Sequence, residues 1–333
     1  MSSWRRSSAA AVLALLSGIA AAQQTIEITA LRQPVDKSYR KMVKGMELFE
    51  ARHALAPGAT LRYKILPRKP GTDLSGVGVQ IVGDTFKQPV AVAFDRTFTM
   101  ARHQRALDED AAVRSERKAE SLTWRAEVRT PGLPPDTRRL GDLRLECEVG
   151  MEAGLVSQYP SALGRLLDAV LSAPDFCSRS YSPYLFFAER PLFAVTLRSG
   201  ARREVLSVGQ LYAGMAHGRT TKKDLPYCDC EALLDRAFIV PLGDHSWPDD
   251  TLVELEYMDG GDAGDAILIG GTKADVAATF GRAAIVRFDS GYEVWSYQSE
   301  GKEPPFRKSE FVVLFSPAGV VAKTRLRAAP QGI

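Results

Sequence analysis

Asp244, His245 and Ser246 are the only clustered residues of the types that make an acid, a base and a nucleophile. Consecutive side chains diverge from the backbone, so these three cannot form a relay with one another. Cys228 and Cys230, with His217 or His245, could hold zinc, but a one-residue gap between cysteines is not the usual zinc spacing. Asp259, Asp262 and Asp265 suggest calcium, yet Gly261 and Ala263 stand at ligand positions and Gly270 stands where the closing glutamate should be. A flexible linker suits that glycine-rich run better. Arg138 and Arg139 follow the stiff loop Pro131-Gly132-Leu133-Pro134-Pro135. Guanidinium groups on such a loop fit a phosphate or carboxylate, and the same loop also serves as a plain surface connection. No nucleophile elbow, metalloprotease helix, phosphate-cradling loop or dinucleotide fingerprint is present, so the sequence implies no cofactor, no metal and no catalytic residue by motif.

Any site must be positioned by a chain of 333 residues, 45% of them hydrophobic, which is enough for two domains with sizeable cores. Residues 1–22 form a separate signal. Arg5 and Arg6 precede an apolar run that ends Ala20-Ala21-Ala22, the pattern of a cleavable secretory leader. Gln23 stands where a lipoprotein would need cysteine, so the expected product is periplasmic, without a lipid anchor or transmembrane helix. Cleavage would remove two basic residues and no acid, taking the net charge from +3 to +1. That balance gives no case for nucleic acid or for bulk adsorption on an anionic membrane. In an oxidising compartment Cys147, Cys177, Cys228 and Cys230 imply two disulfides. A Cys228–Cys230 ring would be strained, so Cys177 is expected to pair with one of those two and Cys147 with the other.

The expected fold class is α+β. Residues 23–258 read as an antiparallel, β-rich, sandwich-like domain with a few amphipathic helices. Tyr39, Met42, Val43, Met46 and Phe49 recur at helical spacing over Lys37 to His53, and Leu163, Leu166, Leu167, Val170 and Leu171 do so over Ser161 to Leu171. Short alternating runs predict strands around Ile26, Tyr63, Val79, Val92, Phe98, Val195 and Leu255. Arg102 to Glu120 is highly charged and predicts an exposed loop or solvated helix. Trp124, Ala126 and Val128 alternate with Arg125, Glu127 and Arg129. Leu143, Leu145, Cys147 and Val149 alternate with Arg144, Glu146 and Glu148, so the two runs predict paired strands with arginines beside glutamates on an outer face. The aromatics from Tyr181 to Phe187 serve either as core or as a ligand patch.

Beyond a linker at 259–270, residues 271–328 predict a small domain. Thr272 caps a helix to Phe280, with Asp275 completing a capping box and Gly281 closing it. Three strands follow, Tyr292 to Gln298, Glu310 to Phe315 and Val320 to Leu326, the last two joined by Ser316-Pro317-Ala318-Gly319.

Gly271-Thr272 with Val276 and Gly281, the aromatic pair Trp295 and Tyr297, and the Phe315, Gly319, Val320 hairpin together resemble the SmpA/OmlA family, which includes the BamE subunit of the outer-membrane β-barrel assembly machinery. The sequence departs from that family in Arg282, in a first helix reduced to a glycine-rich run, and in the missing lipid-attachment cysteine. The resemblance implies a non-enzymatic module docking on envelope or outer-membrane proteins, or on lipid, with Thr272, Val276, Trp295 and Tyr297 as its surface. The alternative reading is an envelope hydrolase or ligand-binding enzyme with its site near Arg138, Arg139 and His245, or a small-ligand-binding protein using the Tyr181 to Phe187 aromatics.

Overall fold

The computed structural model describes residues 34–68, 71–118, 121–156, 175–179, 182, 184–217, 233–260, 268–299 and 309–328. The leader, the strand expected at Thr25 to Thr29, the helix expected at Ser161 to Leu171, Cys228, Cys230, Asp262 and Asp265 lie outside the described residues.

The chain is a mixed α+β protein whose sheets are antiparallel. The first part runs β1 (Pro34–Ser38), α1 (Tyr39–Ala51), β2 (Thr60–Pro67), β3 (Val79–Val82), β4 (Lys87–Val90), β5 (Thr97–Phe98), α2 (Gln104–Asp108), β6 (Ala112–Lys118) and β7 (Leu122–Arg129). Its sheets have the orders β1-β6-β3-β4 and β5-β2-β7. Helix α1 starts where the Ser38 hydroxyl accepts from Lys41 N–H, and it buries Tyr39, Met42 and Val43. Residues 102–120 are not one exposed segment, because α2 and β6 lie there and Ala106 and Val113 enter the core. Charges at the other positions of β6 obscure an ordinary inward alternation.

The middle part runs β8 (Thr137–Arg139), α3 (Leu140–Glu152), β9 (Phe186–Phe187), β10 (Leu192–Ser199), β11 (Arg202–Val205), β12 (Ala237–Phe238) and β13 (Leu252–Tyr257). Its sheets are β11-β10-β13-β8 and the pair β12-β9. The strand expected over Leu143 to Val149 is helix α3. This helix packs against α1 and β7 and is buried on nearly every side, so it has no polar face to reveal a 3.6-residue period. Strand β7 pairs instead with β2, in a register that sets Lys64 opposite Arg125 and Arg62 opposite Glu127. A disulfide joins Cys147 of α3 to Cys177, which corrects the expected pairing of each with Cys228 or Cys230. With α3 helical, Cys147 projects toward the 175–178 turn.

The last part is α4 (Lys273–Phe280) and a sheet of β14 (Ala284–Arg287), β15 (Glu293–Ser299), β16 (Ser309–Phe315) and β17 (Val321–Ala328), in that order. The sheet has four strands where three were expected. Strand β14 was hidden because its alternation, Ala284 to Arg287, is too short to stand out.

Among the described residues three apolar clusters form the core. Tyr63, Ile65, Trp124 and Val128 centre one, with Leu145 and Val149 of α3. Leu140, Leu143 and Cys147 of the same helix belong to another, with Phe186, Phe193, Phe238, Trp247 and, from the C-terminal sheet, Val286, Val294, Val312 and Leu314. Val276, Trp295, Val313, Phe315 and Val321 form the third.

Candidate functional site

The C-terminal sheet has two unlike faces. Paired residues share a face, so Val294, Ser296, Glu310, Val312, Leu314, Lys323, Arg325 and Arg327 point inward. Glu310 accepts from Ser296 Oγ at 2.5 Å and from Val208 N–H at 3.0 Å. Arg327 is buried, donates to Phe193 O at 2.7 Å, and has no partner for Nε or Nη1 among the described residues. Burial pulls its guanidinium below the ordinary value. These bonds fix the inward face to the middle of the molecule.

Helix α4 covers one end of the outward face. Thr272 N–H and Oγ1 donate to Asp275 at 2.9 and 2.7 Å, and Asp275 N–H returns a bond to Thr272 Oγ1 at 3.3 Å. These bonds hold the Asp275 carboxyl below its usual range. Gly270 N–H and Val321 N–H close backbone bonds between the helix start and the β16–β17 hairpin. Beneath the helix Val276 is fully buried and Trp295, only 7% exposed, packs on Phe315. Trp295 Nε1 donates to Glu293 at 2.7 Å. Val276 and Trp295 are thus core, whereas Thr272 is an exposed helix cap taken up by Asp275 and Tyr297 is half-buried at the edge of the covered end.

The uncovered end carries aromatic and aliphatic groups. Tyr297 pairs with Phe311, which pairs with Leu326, and the Phe280 ring stands 5.4 Å from Tyr297 and 5.1 Å from Phe311. Phe280 is 40% exposed, Leu326 61% and Ile285, on the same face, 40%. Phe280 was visible in the sequence as the last residue of the capped helix. Phe311 and Leu326 read as ordinary alternating strand residues.

The two arginines proposed as an anion site separate. Arg138 is 5% exposed, and its Nη2 donates to Val128 O at 2.7 Å and to Glu146 Oε2 at 2.6 Å. Glu146 also accepts from Val128 N–H at 2.9 Å. Burial raises the Glu146 carboxyl, while Arg138 and the Val128 amide work against that rise. Arg138 is therefore an interior residue of β8 and not a surface cation, because the proline-rich loop ends before it. Arg139 is half-buried on the other face of that strand.

Arg138 lines a cavity of about 40 Å³ with Lys64, Arg96, Arg125 and Arg236. His245 lines a different depression, of about 290 Å³, with Arg52, Glu148 and Trp247. The structure does not bring Arg138, Arg139 and His245 into one site. The Asp244-His245-Ser246 run is a turn in which Ser246 N–H donates to Asp244 Oδ1 at 2.9 Å. It is held by Arg144, which donates to Leu242 O, Asp244 O and Trp247 O. Tyr184 and Phe186 stack within the core, and Arg125 lies 4.9 Å from Tyr184 and 5.2 Å from Phe187.

No family model, curated protein or solved structure matches the chain. The site must be read from its own geometry. Among the described residues no group of acids, histidines and cysteines is placed to hold a metal, and no helix is long and apolar enough to cross a membrane.

Proposed function

We propose that this is a non-enzymatic protein of the cell envelope that docks on an outer-membrane or other envelope protein through its C-terminal sheet. In this reading a leader at 1–22 delivers the chain to the periplasm, a β-rich, sandwich-like part carries it, and the SmpA/OmlA-like part presents the contact surface. One observation carries the proposal: the exposed Phe280 and Leu326 flank the half-buried rings of Tyr297 and Phe311, an apolar patch on one sheet face whose other end α4 covers. Aromatic rings on a rigid sheet supply contact area at low entropic cost, and such patches on soluble proteins mark contact surfaces. The inner face is bonded to the rest of the chain, so the outer one alone is free for a partner.

The test is photocrosslinking in the envelope from position 280 of the full chain, with Leu326→Ser as its control, and from position 326, with Phe280→Ser as its control. Specific adducts with outer-membrane assembly proteins, lost in the control, are expected. Adducts that persist unchanged in the control, or no adducts at either position, would refute docking on this face.

A further inference from the structure

A second, independent feature lies between the β2–β7 sheet and the segment Leu185–Glu189, where the cavity of about 40 Å³ opens. We propose that this cavity binds a carboxylate, the charged end of an extended peptide-like ligand whose body follows the adjoining groove.

The charge of the wall is the first argument. Lys64, Arg96, Arg125, Arg138 and Arg236 face Glu127, Glu146 and Glu189, an excess of two cations. Glu146 is taken by Arg138, Glu189 by Lys64 at 2.8 Å, and Glu127 by Arg62 at 3.2 Å and Arg129 at 3.5 Å. Arg96 has no side-chain hydrogen bond or ion pair among the described residues, although its field helps hold the Glu189 carboxyl down. Arg236 donates to Glu189 O at 2.8 Å and lies 4.0 Å from Asp235. Its Nε is buried without a partner, and so is the Nε of Arg138. Both arginines line the cavity and each keeps one buried N–H without a hydrogen bond, which favours an acceptor beside them, since a buried polar group left unpaired is costly. Register adds to this, because Lys64, paired with Glu189, stands directly opposite Arg125, whose Nη2 donates to Leu185 O at 3.1 Å, so two cations flank the cavity.

The backbone supplies a separate argument. Arg96 has φ of 63°, in the left-handed region where glycine is cheapest. It closes the turn from Ala93, with Arg96 N–H donating to Ala93 O at 2.9 Å and Ile65 N–H donating to Arg96 O at 2.9 Å. A hairpin that needs only a turn would place glycine there. Arginine at that position carries its guanidinium to the cavity mouth despite the strain.

Size and charge select the ligand. A volume of about 40 Å³ holds roughly three waters, judged at 10–15 Å³ for each probe-sized site. A carboxylate has three heavy atoms and a phosphate five. The net excess of two and the three carboxylates in the wall favour a planar monoanion, and guanidinium forks match that geometry. Lys64, Arg96, Glu127 and Glu189 also line an open groove of about 1020 Å³, whose wall includes Leu74, Val77, Val92 and the fully exposed Phe94. That groove gives an extended chain an apolar path leading away from its charged end.

The test is an NMR titration of the full chain with acetate, acetamide, inorganic phosphate, tetra-alanine and tetra-alanine amide. Acetate should shift the Leu185 and Phe187 amides and acetamide should not. Tetra-alanine should bind at least tenfold more tightly than acetate and also shift Val92 and Ala93, whereas its amide should lose that gain. Arg96→Asn, which tolerates the left-handed backbone, and Arg236→Met should each weaken acetate binding at least tenfold. Equal responses to acetate and acetamide, wild-type affinity in both variants, or preferential binding of phosphate would overturn the site. A peptide no tighter than acetate would overturn the groove. If Arg236→Met fails to fold, Arg96→Asn decides alone.

Discussion

Replacing Glu146 by leucine should expose how the interior of this protein tolerates charge. The change leaves Arg138, 5% exposed, without its carboxylate, and arginine cannot shed its proton. Breaking a buried pair from one side costs about 3–5 kcal/mol. The Val128 amide also loses its acceptor, so an outcome near the upper end, ~5 kcal/mol, is expected. Arg138→Met is not the mirror image, because the stranded carboxyl can neutralise itself. Burial already raises its proton affinity, so part of the cost is met by proton uptake. A carboxyl whose folded pKa lies above its unfolded value penalises folding once pH climbs past the unfolded range of about 4.3. Arg138→Met should therefore lie closest to the wild type near pH 4.3 and fall away as pH rises, whereas the Glu146→Leu deficit persists at neutral pH. The double variant Arg138→Met/Glu146→Leu should recover most of the loss. The measurement is urea unfolding of the oxidised chain followed by circular dichroism, with the m-value checked for constancy. A Glu146→Leu cost below about 1 kcal/mol, or a double variant as unstable as the two singles combined, would refute the assignment of a desolvated, mutually dependent pair.

Three further outcomes follow from other parts of the structure. Reducing Cys147–Cys177, which spans 30 residues, should cost about 3–4 kcal/mol by the loop-entropy relation, read as a fall in the urea midpoint with added dithiothreitol; an unchanged midpoint would count against the bridge. Gly141→Ala should destabilise by about 2 kcal/mol or more, because a new Cβ would meet the backbone oxygen of Leu55 and stand 3.0 Å from Asp249 Cβ; a neutral result in the same assay would refute that packing. Glu109 accepts from the Thr85 hydroxyl, from Thr85 N–H at 2.7 Å and from Phe86 N–H at 2.9 Å, bonds that hold its carboxyl down to about 2. The order this lends to the β3–β4 turn should be complete above about pH 4.3 and disappear toward pH 2. The Thr85 amide shift should titrate near 2, and a midpoint in the ordinary carboxylate range would contradict the geometry.

How much of this was legible in the sequence depended on whether local chemistry or long-range packing decided each element. The capping box at Thr272 and Asp275 and the hairpin closed at Gly319 are local devices, and both stand where the sequence predicts them. Helix α1 was equally legible, since it has one buried face and one wet one. Helix α3 was not. Arg144 and Glu146 look like an exposed face until Arg138 of β8 and the 242–249 turn are known to enclose them, and that turn begins 98 residues beyond Arg144. The same blindness affected the sites. Trp295 reads as a binding aromatic but is covered by a helix 15 residues away, while Arg96, Arg125 and Arg236 are too far apart in sequence to be read as one wall. Of the charged cavity wall only Arg138 was singled out as a site in the sequence, and there for a surface loop and not for the interior.

Helix α3 supplies Leu140, Leu143 and Cys147 to one apolar cluster and Leu145 and Val149 to the other. It is a common wall, and neither room stands without it. As the chain is made, residues 34–139 contain every strand of the first cluster yet lack the helix that closes it, so that segment must wait for the next dozen residues before it can hold its shape. A fragment ending at 139 should accordingly be degraded as an unfinished half, and one ending at 156 should be the shortest that endures. Unfolding from either side then reaches the same helix.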